Sequence, residues 1–401
     1  MPTLPSQFEV LERIGAPSRS ALIEGDNLPV LEALLPSWSG TARVIYIDPP
    51  YNTGHVHWRY SDRWEQEDDT DRHQRWLAFM RPRLAALREL LTPDGLLFVS
   101  IDDRELFRLG LLLDELFGED NRLEIICWEK KYGTQNDSRT FSANHEYVLC
   151  YARDRARAKI QLLPRSPEMD GRYTNRDDDP RGPWKAGDFS VKTPSPRYMY
   201  PIRVPSGRTV TPPPGRSWMT SEERFRELVA DQRIWHGFDG DKKPSLKQFL
   251  SEVKAGRVPS TLWSWREVGH TDTAKKELKR ILDVSGRDFQ TPKPTALVKR
   301  CIQLAAGPED LVVDAFAGTG TTGQAVLELN RDDGGARRFL LIESGSGDDR
   351  FCHDLTAERL RRVITGQYES GATRGAGGGF ALARLTPARA PAPPRVRAKR
   401  S

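Results

Sequence analysis

The chain has 401 residues, 37% hydrophobic and 29% charged, enough to bury one large core or two modest ones, and this suits a catalytic domain carrying an inserted or appended second domain. Its longest apolar runs, such as Leu109 to Leu113, fall far short of a membrane span, and Met1-Pro-Thr-Leu-Pro lacks the basic start and apolar stretch of a secretory leader, so the sequence reads as cytoplasmic with no membrane partner. The four cysteines (Cys127, Cys150, Cys301, Cys352) lack close pairing, which argues against a disulfide framework and a zinc site, and a net charge of +5 suits a polyanionic partner without demanding one.

In chain order, Arg43-Val-Ile-Tyr-Ile-Asp48 is a β-branched and aromatic run halted by Pro49-Pro50, the pattern of a buried parallel strand entering a rigid loop. Trp76, Phe79, Met80, Leu84, Leu87, Leu90 and Leu91 recur at helical spacing, with Pro82 marking a kink or the true start. A strand over Gly95 to Ile101, a helix from about Arg104 to Phe117, and strands at Leu123 to Trp128 and Glu146 to Tyr151 continue the alternation. From 152 to 289 the texture changes to clusters of Pro, Gly, Arg, Asp and aromatic residues without clean periodicity. The α/β pattern returns with a helix at Pro294 to Ala305, a strand at Asp310 to Asp314, a helix through Leu329 and a strand at Arg338 to Glu343. The expected architecture is therefore an α/β, doubly wound, Rossmann-like sheet built jointly by residues 1–151 and 290–369 around an inserted domain, 152–289. After Glu369 no acidic residue occurs while seven Arg and Lys are spread through Gly, Ala and Pro, so 370–401 reads as a basic disordered tail.

Two clusters carry candidate chemistry. The first runs from Asp314 through Phe316, Gly318, Thr319, Gly320 and Thr321 between a strand and a helix, with Glu343 closing the next strand. Glycines let backbone approach a ligand, and an acidic residue roughly 20 positions on can accept ribose hydroxyls, so the pattern suggests a nucleoside site. No Gly-Lys-Ser/Thr ending is present, and Asp314 would repel phosphate while suiting an ammonium group. The second cluster is Asp48-Pro49-Pro50-Tyr51 at the carboxyl end of a strand. The Asp48 carboxylate and the Pro49 carbonyl, stiffened by the following Pro50, are rigid acceptors for a weakly nucleophilic amino group, and Tyr51 suits stacking on a planar ring. Between the clusters, residues such as Arg172, Tyr173, Arg176, Trp184, Lys185, Lys192, Arg197, Lys242 and Lys243 interleave basic and aromatic groups, a mixture that suits phosphate contact and base stacking, although aromatics in a small domain often form its core.

With Asp48-Pro-Pro-Tyr51 preceding Phe316-Ala-Gly-Thr-Gly-Thr-Thr322, the chain resembles the amino-methyltransferases of the beta arrangement, and more closely the modification subunits of type III restriction-modification systems. The resemblance spans roughly Ala21 to Leu360 and rests on Gly25-Asp-Asn-Leu, Asp48-Pro-Pro-Tyr-Asn-Thr-Gly54, Val99-Ser-Ile-Asp-Asp103, Asn144-His-Glu-Tyr147, Asp179-Pro-Arg-Gly-Pro-Trp184, Thr291-Pro-Lys-Pro294 and Asp314 to Thr322. It implies S-adenosylmethionine as cofactor, held by Asp26 near the adenine, by Lys293 and Pro294 near the methionine end, and by the turn and Glu343 already described. It implies transfer to the N6 amino group of an adenine extruded from duplex DNA, with Asp48 through Tyr51 catalytic, an inserted DNA-recognition domain, and no metal. Methylation of cytosine N4 or of RNA stays open, as do a catalytically silent DNA-specificity subunit, a homodimer and a pairing with a restriction subunit. Asp rather than Ser before Pro-Pro-Tyr favours adenine, and two intact clusters disfavour silence.

Overall fold

The computed structural model describes residues 3–53, 71–134, 140–283, 292–345 and 350–386; Gly54, Thr291 and the tail from 387 onward lie outside them. Two compact units are present, the first formed by 1–161 together with 260–401 and the second by 162–259.

The first unit is built on a ten-stranded sheet. Its strands in chain order are β1 (Phe8–Gly15), β2 (Ala21–Glu24), β3 (Ala42–Ile47), β4 (Leu91–Ile101), β5 (Arg122–Glu129), β6 (His145–Ala152), β7 (Leu262–Trp263), β8 (Leu311–Asp314), β9 (Arg338–Glu343) and β10 (Gly379–Leu385). In space they run β1-β10-β2-β9-β8-β3-β4-β6-β5-β7. The central strands from β10 to β4 are parallel, while β6 runs antiparallel to both β4 and β5. Helices α1 (Asn27–Trp38), α2 (Arg72–Leu90) and α3 (Leu106–Phe117) cover one face. There Leu31, Leu34, Met80, Leu84, Leu87, Leu109 and Leu113 pack on Ile45, Ile47, Leu97, Val99 and Val313. Each such aliphatic side chain contributes about 1.5–3 kcal/mol on burial. The intervening strand residues Val44, Tyr46, Phe98 and Val312 are buried too and point the other way, as a period of two requires. On that side lie α5 (Thr295–Ala305) and α6 (Thr321–Asp333), with α4 (Thr271–Ile281) before them and α7 (Glu358–Thr365) after them in the chain. This is the doubly wound, Rossmann-like α/β arrangement, and helix α2 continues through Pro82 without interruption.

Two assignments differ from the sequence reading. The inserted unit is Leu162–Pro259, narrower than 152–289, because β7 pairs in parallel with β5 and α4 buries Ala274, Leu278 and Ile281 within the first unit. The sheet half that was to end at 369 continues to β10, and 370–401 is not a disordered tail as a whole: β10 lies inside the sheet, antiparallel to β1 and parallel to β2. Its Gly and Ala content, read as disorder, serves close approach. A Cβ on Gly379 would collide with the Ala16 carbonyl oxygen, while Phe380, Ala381, Leu382 and Ala383 are buried. The region before residue 43, inside the expected 1–151 half, contributes β1, β2 and α1.

The inserted unit is β-rich, with a three-stranded sheet of Trp184–Asp188, Ser245–Phe249 and Ile234–Trp235, two short strand pairs and a helix at Glu222–Ala230. Phe189, Ile202, Val204, Val210, Trp218 and Phe225 form its core, whereas Arg172, Arg176, Lys192, Arg197, Lys242 and Lys243 are exposed. Among the described residues, no helix is long and apolar enough to cross a membrane.

Because β10 joins β1 to β2, a chain ended after Glu369 should lose the cooperative melting transition, whereas one ended after Thr386, which keeps all ten strands, should retain it. Circular-dichroism melts of the two truncations check this.

Candidate active site

Strands β3 and β8 are parallel neighbours, with Val44 opposite Val312 and Ile45 opposite Val313, so the two sequence clusters emerge at adjoining carboxyl ends. After β3 the chain turns through Asp48, Pro49 and Pro50, whose fixed φ angles stiffen it, and the Trp76 indole on α2 donates to the Pro50 carbonyl at 2.7 Å. Asn52 then adopts φ of 56°, a left-handed conformation that Asn tolerates better than most residues. Its amide donates to Glu105 Oε1 at 2.6 Å, and His73 Nδ1 meets the same oxygen at 2.5 Å. A wholly buried carboxylate thus holds Asn52 in place.

Four side chains meet around Asp48. The Tyr51 hydroxyl donates to Asp48 Oδ1 at 2.8 Å, with Glu146 Oε2 a second acceptor at 3.2 Å. The Lys293 ammonium pairs with Asp48 Oδ1 at 2.9 Å and with Glu146 Oε2 at 3.4 Å, and lies 4.8 Å from the Tyr51 ring centroid. Lys130 closes the group from β5's end, 3.0 Å from Glu146 Oε1. Desolvation pushes the Asp48 pKa up, and the Lys293 ammonium offsets only part of the rise. For Glu146 burial works the same way, but Lys293 and Lys130 together hold its carboxyl below the usual range. Burial opposes charge on Lys293 as well, yet Asp48 and Glu146 keep it above the ordinary lysine value. Tyr51, raised by burial and by Asp48, stays a neutral donor.

The second cluster is a turn braced from beneath. Gly318 and Gly320 have φ of 52° and 82°, which favour glycine, and a Cβ on Gly320 would press the Thr356 carbonyl at 3.3 Å. Asp314 accepts from the Phe316 amide at 3.0 Å and from the Thr322 hydroxyl at 2.5 Å, so its carboxyl organises the turn. Burial raises its pKa to about 7. The Gly318 amide donates to Glu343 Oε2 at 2.6 Å, and the Thr356 hydroxyl to the Gly318 carbonyl at 2.6 Å. Arg359, fully buried, donates to Thr319 Oγ1 at 2.7 Å, Thr321 Oγ1 at 2.9 Å and Gln324 Oε1 at 2.7 Å. From the opposite side the Asn27 amide holds the Ala315 carbonyl at 2.8 Å. Asp26 caps α1 by accepting from the Leu28 amide at 3.0 Å and pairs with Arg83 at 3.0 Å, which in turn stacks on Phe79, a neighbour of Phe316.

The structure therefore gathers Asp48, Pro49, Pro50, Tyr51 and Lys293 in one place and Asp314, Phe316, Gly318, Thr319, Gly320, Thr321 and Glu343 in one turn, with Pro294 capping α5 and Asp26 at the partly exposed flank. Lys293 joins the two: its ammonium is on Asp48 while its carbonyl accepts from the Thr321 hydroxyl at 3.4 Å. Sequence reasoning missed Glu146, Lys130, Glu105, Asn27 and Arg359. Glu146 left the best signal, as an acidic residue near the start of a largely apolar strand beside the more conspicuous His145, which hydrogen-bonds Tyr147.

Residues 42–347 match the DNA methylase family (N6_N4_Mtase), and the chain belongs to that family. It is 37% identical over 350 residues to the StyLTI Mod subunit, a type III restriction-modification enzyme of Salmonella typhimurium, covering 81% of this chain and 52% of that one. It is 30% identical to the EcoPI Mod subunit of Escherichia phage P1, over 81% of this chain and 57% of the relative. The type II methyltransferase M.KpnI of Klebsiella pneumoniae is 32% identical, over 86% and 87% respectively. The chain thus spans about half the length of the type III relatives.

Asp314 supplies a test of the turn. A carboxyl whose folded pKa is raised contributes stability that is full below the unfolded value near 3.8 and is lost as pH rises toward about 7. The melting temperature of Asp314→Asn relative to wild type should accordingly climb between pH 4 and pH 7 and then level off; calorimetric scans across that window measure it. A constant difference would mean that Asp314 titrates as an ordinary carboxyl.

Proposed function

We propose that the protein transfers a methyl group from S-adenosylmethionine to the N6 amino group of an adenine extruded from duplex DNA, within a restriction-modification system of the cytoplasm. The observation that carries this reading is the Lys293 bridge between an acceptor-rich loop and a glycine turn on adjoining strands. The turn fits the cofactor by its chemistry. Asp314 and Glu343 place buried carboxyls beneath it and Asp26 an exposed one at its flank, Arg359 is committed to Thr319, Thr321 and Gln324, and Phe316 gives an apolar wall, so a cation with ribose hydroxyls is accommodated better than a triphosphate. Glu343 and Asp26 would hold the nucleoside end, and Lys293 with Pro294 the methionine end. When bound, S-adenosylmethionine supplies a methyl group already activated by its sulfonium.

The rest belongs to this chain's own residues. Adenine's amino lone pair is delocalised into the ring, so attack needs acceptors that draw its hydrogens and favour a tetrahedral nitrogen. Asp48 and the Pro49 carbonyl act as those acceptors, and because Trp76 and Glu105 pin the loop they need no reorganisation as charge develops. Tyr51 contributes the ring surface against which the extruded base is held. The exposed basic residues of the inserted unit, Arg172, Arg176, Lys192, Arg197, Lys242 and Lys243, make phosphate contacts while its buried aromatics hold its core, so that unit is the DNA-recognition domain. A restriction subunit or a second copy of this chain completes such a system.

Reaction with isotopically labelled cofactor and duplex DNA, followed by digestion and mass spectrometry, should place label in N6-methyladenine alone. Label in N4-methylcytosine would transfer the activity to the other base, and preference for RNA would overturn the substrate class. Asp48→Ala should lower turnover by a factor of roughly 100 or more, the order expected for an acceptor acting in the transition state, while cofactor affinity by calorimetry stays within a few-fold. Wild-type turnover in that variant would remove Asp48 from the mechanism.

A further inference from the structure

We propose that Glu146 is a positioning residue for Asp48: by sharing Lys293 it prevents the ammonium from committing fully to Asp48, which keeps the carboxylate available to the target amine. The inference deepens the reading above and rests on it for the identity of that amine.

The contacts make the division of charge explicit. Among the described residues, the side-chain bonds to Asp48 from Tyr51 and from Lys293 both fall on Oδ1. The longer arms of the same two groups fall on a single oxygen of Glu146, Oε2, at 3.2 and 3.4 Å. The other Glu146 oxygen is taken by Lys130 at 3.0 Å. Two carboxylates and two ammoniums thus alternate as Asp48, Lys293, Glu146, Lys130. In such a chain the strength of each pairing depends on its neighbours, because a buried cation between two anions divides its field between them. If Glu146 lost its charge, Lys293 would have one anion left and would occupy Asp48. If Lys130 lost its charge, Glu146 would draw Lys293 toward itself. The other ionisable groups near the pair are Tyr51, Tyr46 and Asp314 around Asp48, and Asp102, held by Arg104, near Glu146. They remain the same in both substitutions.

The two substitutions therefore move Asp48 in opposite directions, which a merely structural role does not predict. Glu146→Gln removes a like charge and tightens the Lys293 pairing, so Asp48 should titrate at lower pH than in wild type. Lys130→Gln should make it titrate at higher pH. Carboxyl carbon NMR of the full chain labelled at aspartate Cγ, with the Asp48 signal assigned by its loss in Asp48→Asn, reads this without substrate. In the active enzyme the acid limb of kcat/KM should follow the same two directions, and Glu146→Gln should lower kcat roughly tenfold or more, as expected for a misplaced reacting group. Unchanged Asp48 titration in both variants, or movement in the same direction, would overturn the proposal. Lys130 is partly exposed, so its variant carries the test should Glu146→Gln fail to fold. Opposite shifts in a protein that methylates no DNA would leave the charge sharing standing and discard the proposed reaction instead.

Discussion

A single buried ammonium, that of Lys293, sits between the carboxylates of Asp48 and Glu146, and the local structure is arranged around keeping it there. Two carboxylates facing each other in a poorly hydrated pocket would not both ionise, since desolvation and like-charge repulsion each favour the protonated form. With Lys293 between them and Lys130 behind Glu146, the pocket holds opposite charges in equal number. Removing any one member would leave an uncompensated buried charge, a loss larger than the pair's own net contribution. The balance is also uneven by design of the contacts, with Asp48 pushed up in pKa and Glu146 held down, so the two acids have distinct characters despite sharing a cation.

The same constraint explains the placement of elements far apart in the chain. Asp48 follows β3, Glu146 is the second residue of β6, Lys130 follows β5, and Lys293 precedes α5. β3 and β6 both flank β4, so the sheet brings Asp48 and Glu146 to the same side, while α5 delivers Lys293 over β3 and β4. The glycine turn is held by an independent network: Arg359 from α7, Asn27 from α1 and Glu343 from β9 each satisfy a different polar group of the turn. Nearly every contact is a hydrogen bond to a buried partner, which is how a loop dense in glycine keeps one conformation. Lys293 belongs to both networks, through its ammonium in one and its carbonyl in the other.

Much of this was legible from residue patterns because the signals are local. Arg43 to Asp48 is apolar on both faces, which only a strand buried between two helical layers requires, and Pro49-Pro50 ends it. The glycine turn is flanked by a strand and a helix whose periodicities change within a few residues, so its position at a strand's carboxyl end followed directly. The inserted segment announced itself by loss of period, but its edges did not. Helix α4 carries Ala274, Leu278 and Ile281 at helical spacing within a polar stretch, a stripe too sparse to separate from its surroundings.

What the sequence determined, then, is the pair of clusters and the α/β class, because strand burial, proline stiffness and glycine turns depend on neighbours along the chain. Only the tertiary structure decided the partners of Asp48. Glu146 and Lys130 are ordinary charged residues in sequence, and their roles arise from strand pairing between β4, β5 and β6. The same holds for β10, whose Gly and Ala read as disorder until β1 and β2 are placed on either side of it. A residue's local composition reports its conformational freedom, but whether that freedom is used for disorder or for close packing depends on what approaches from elsewhere in the chain.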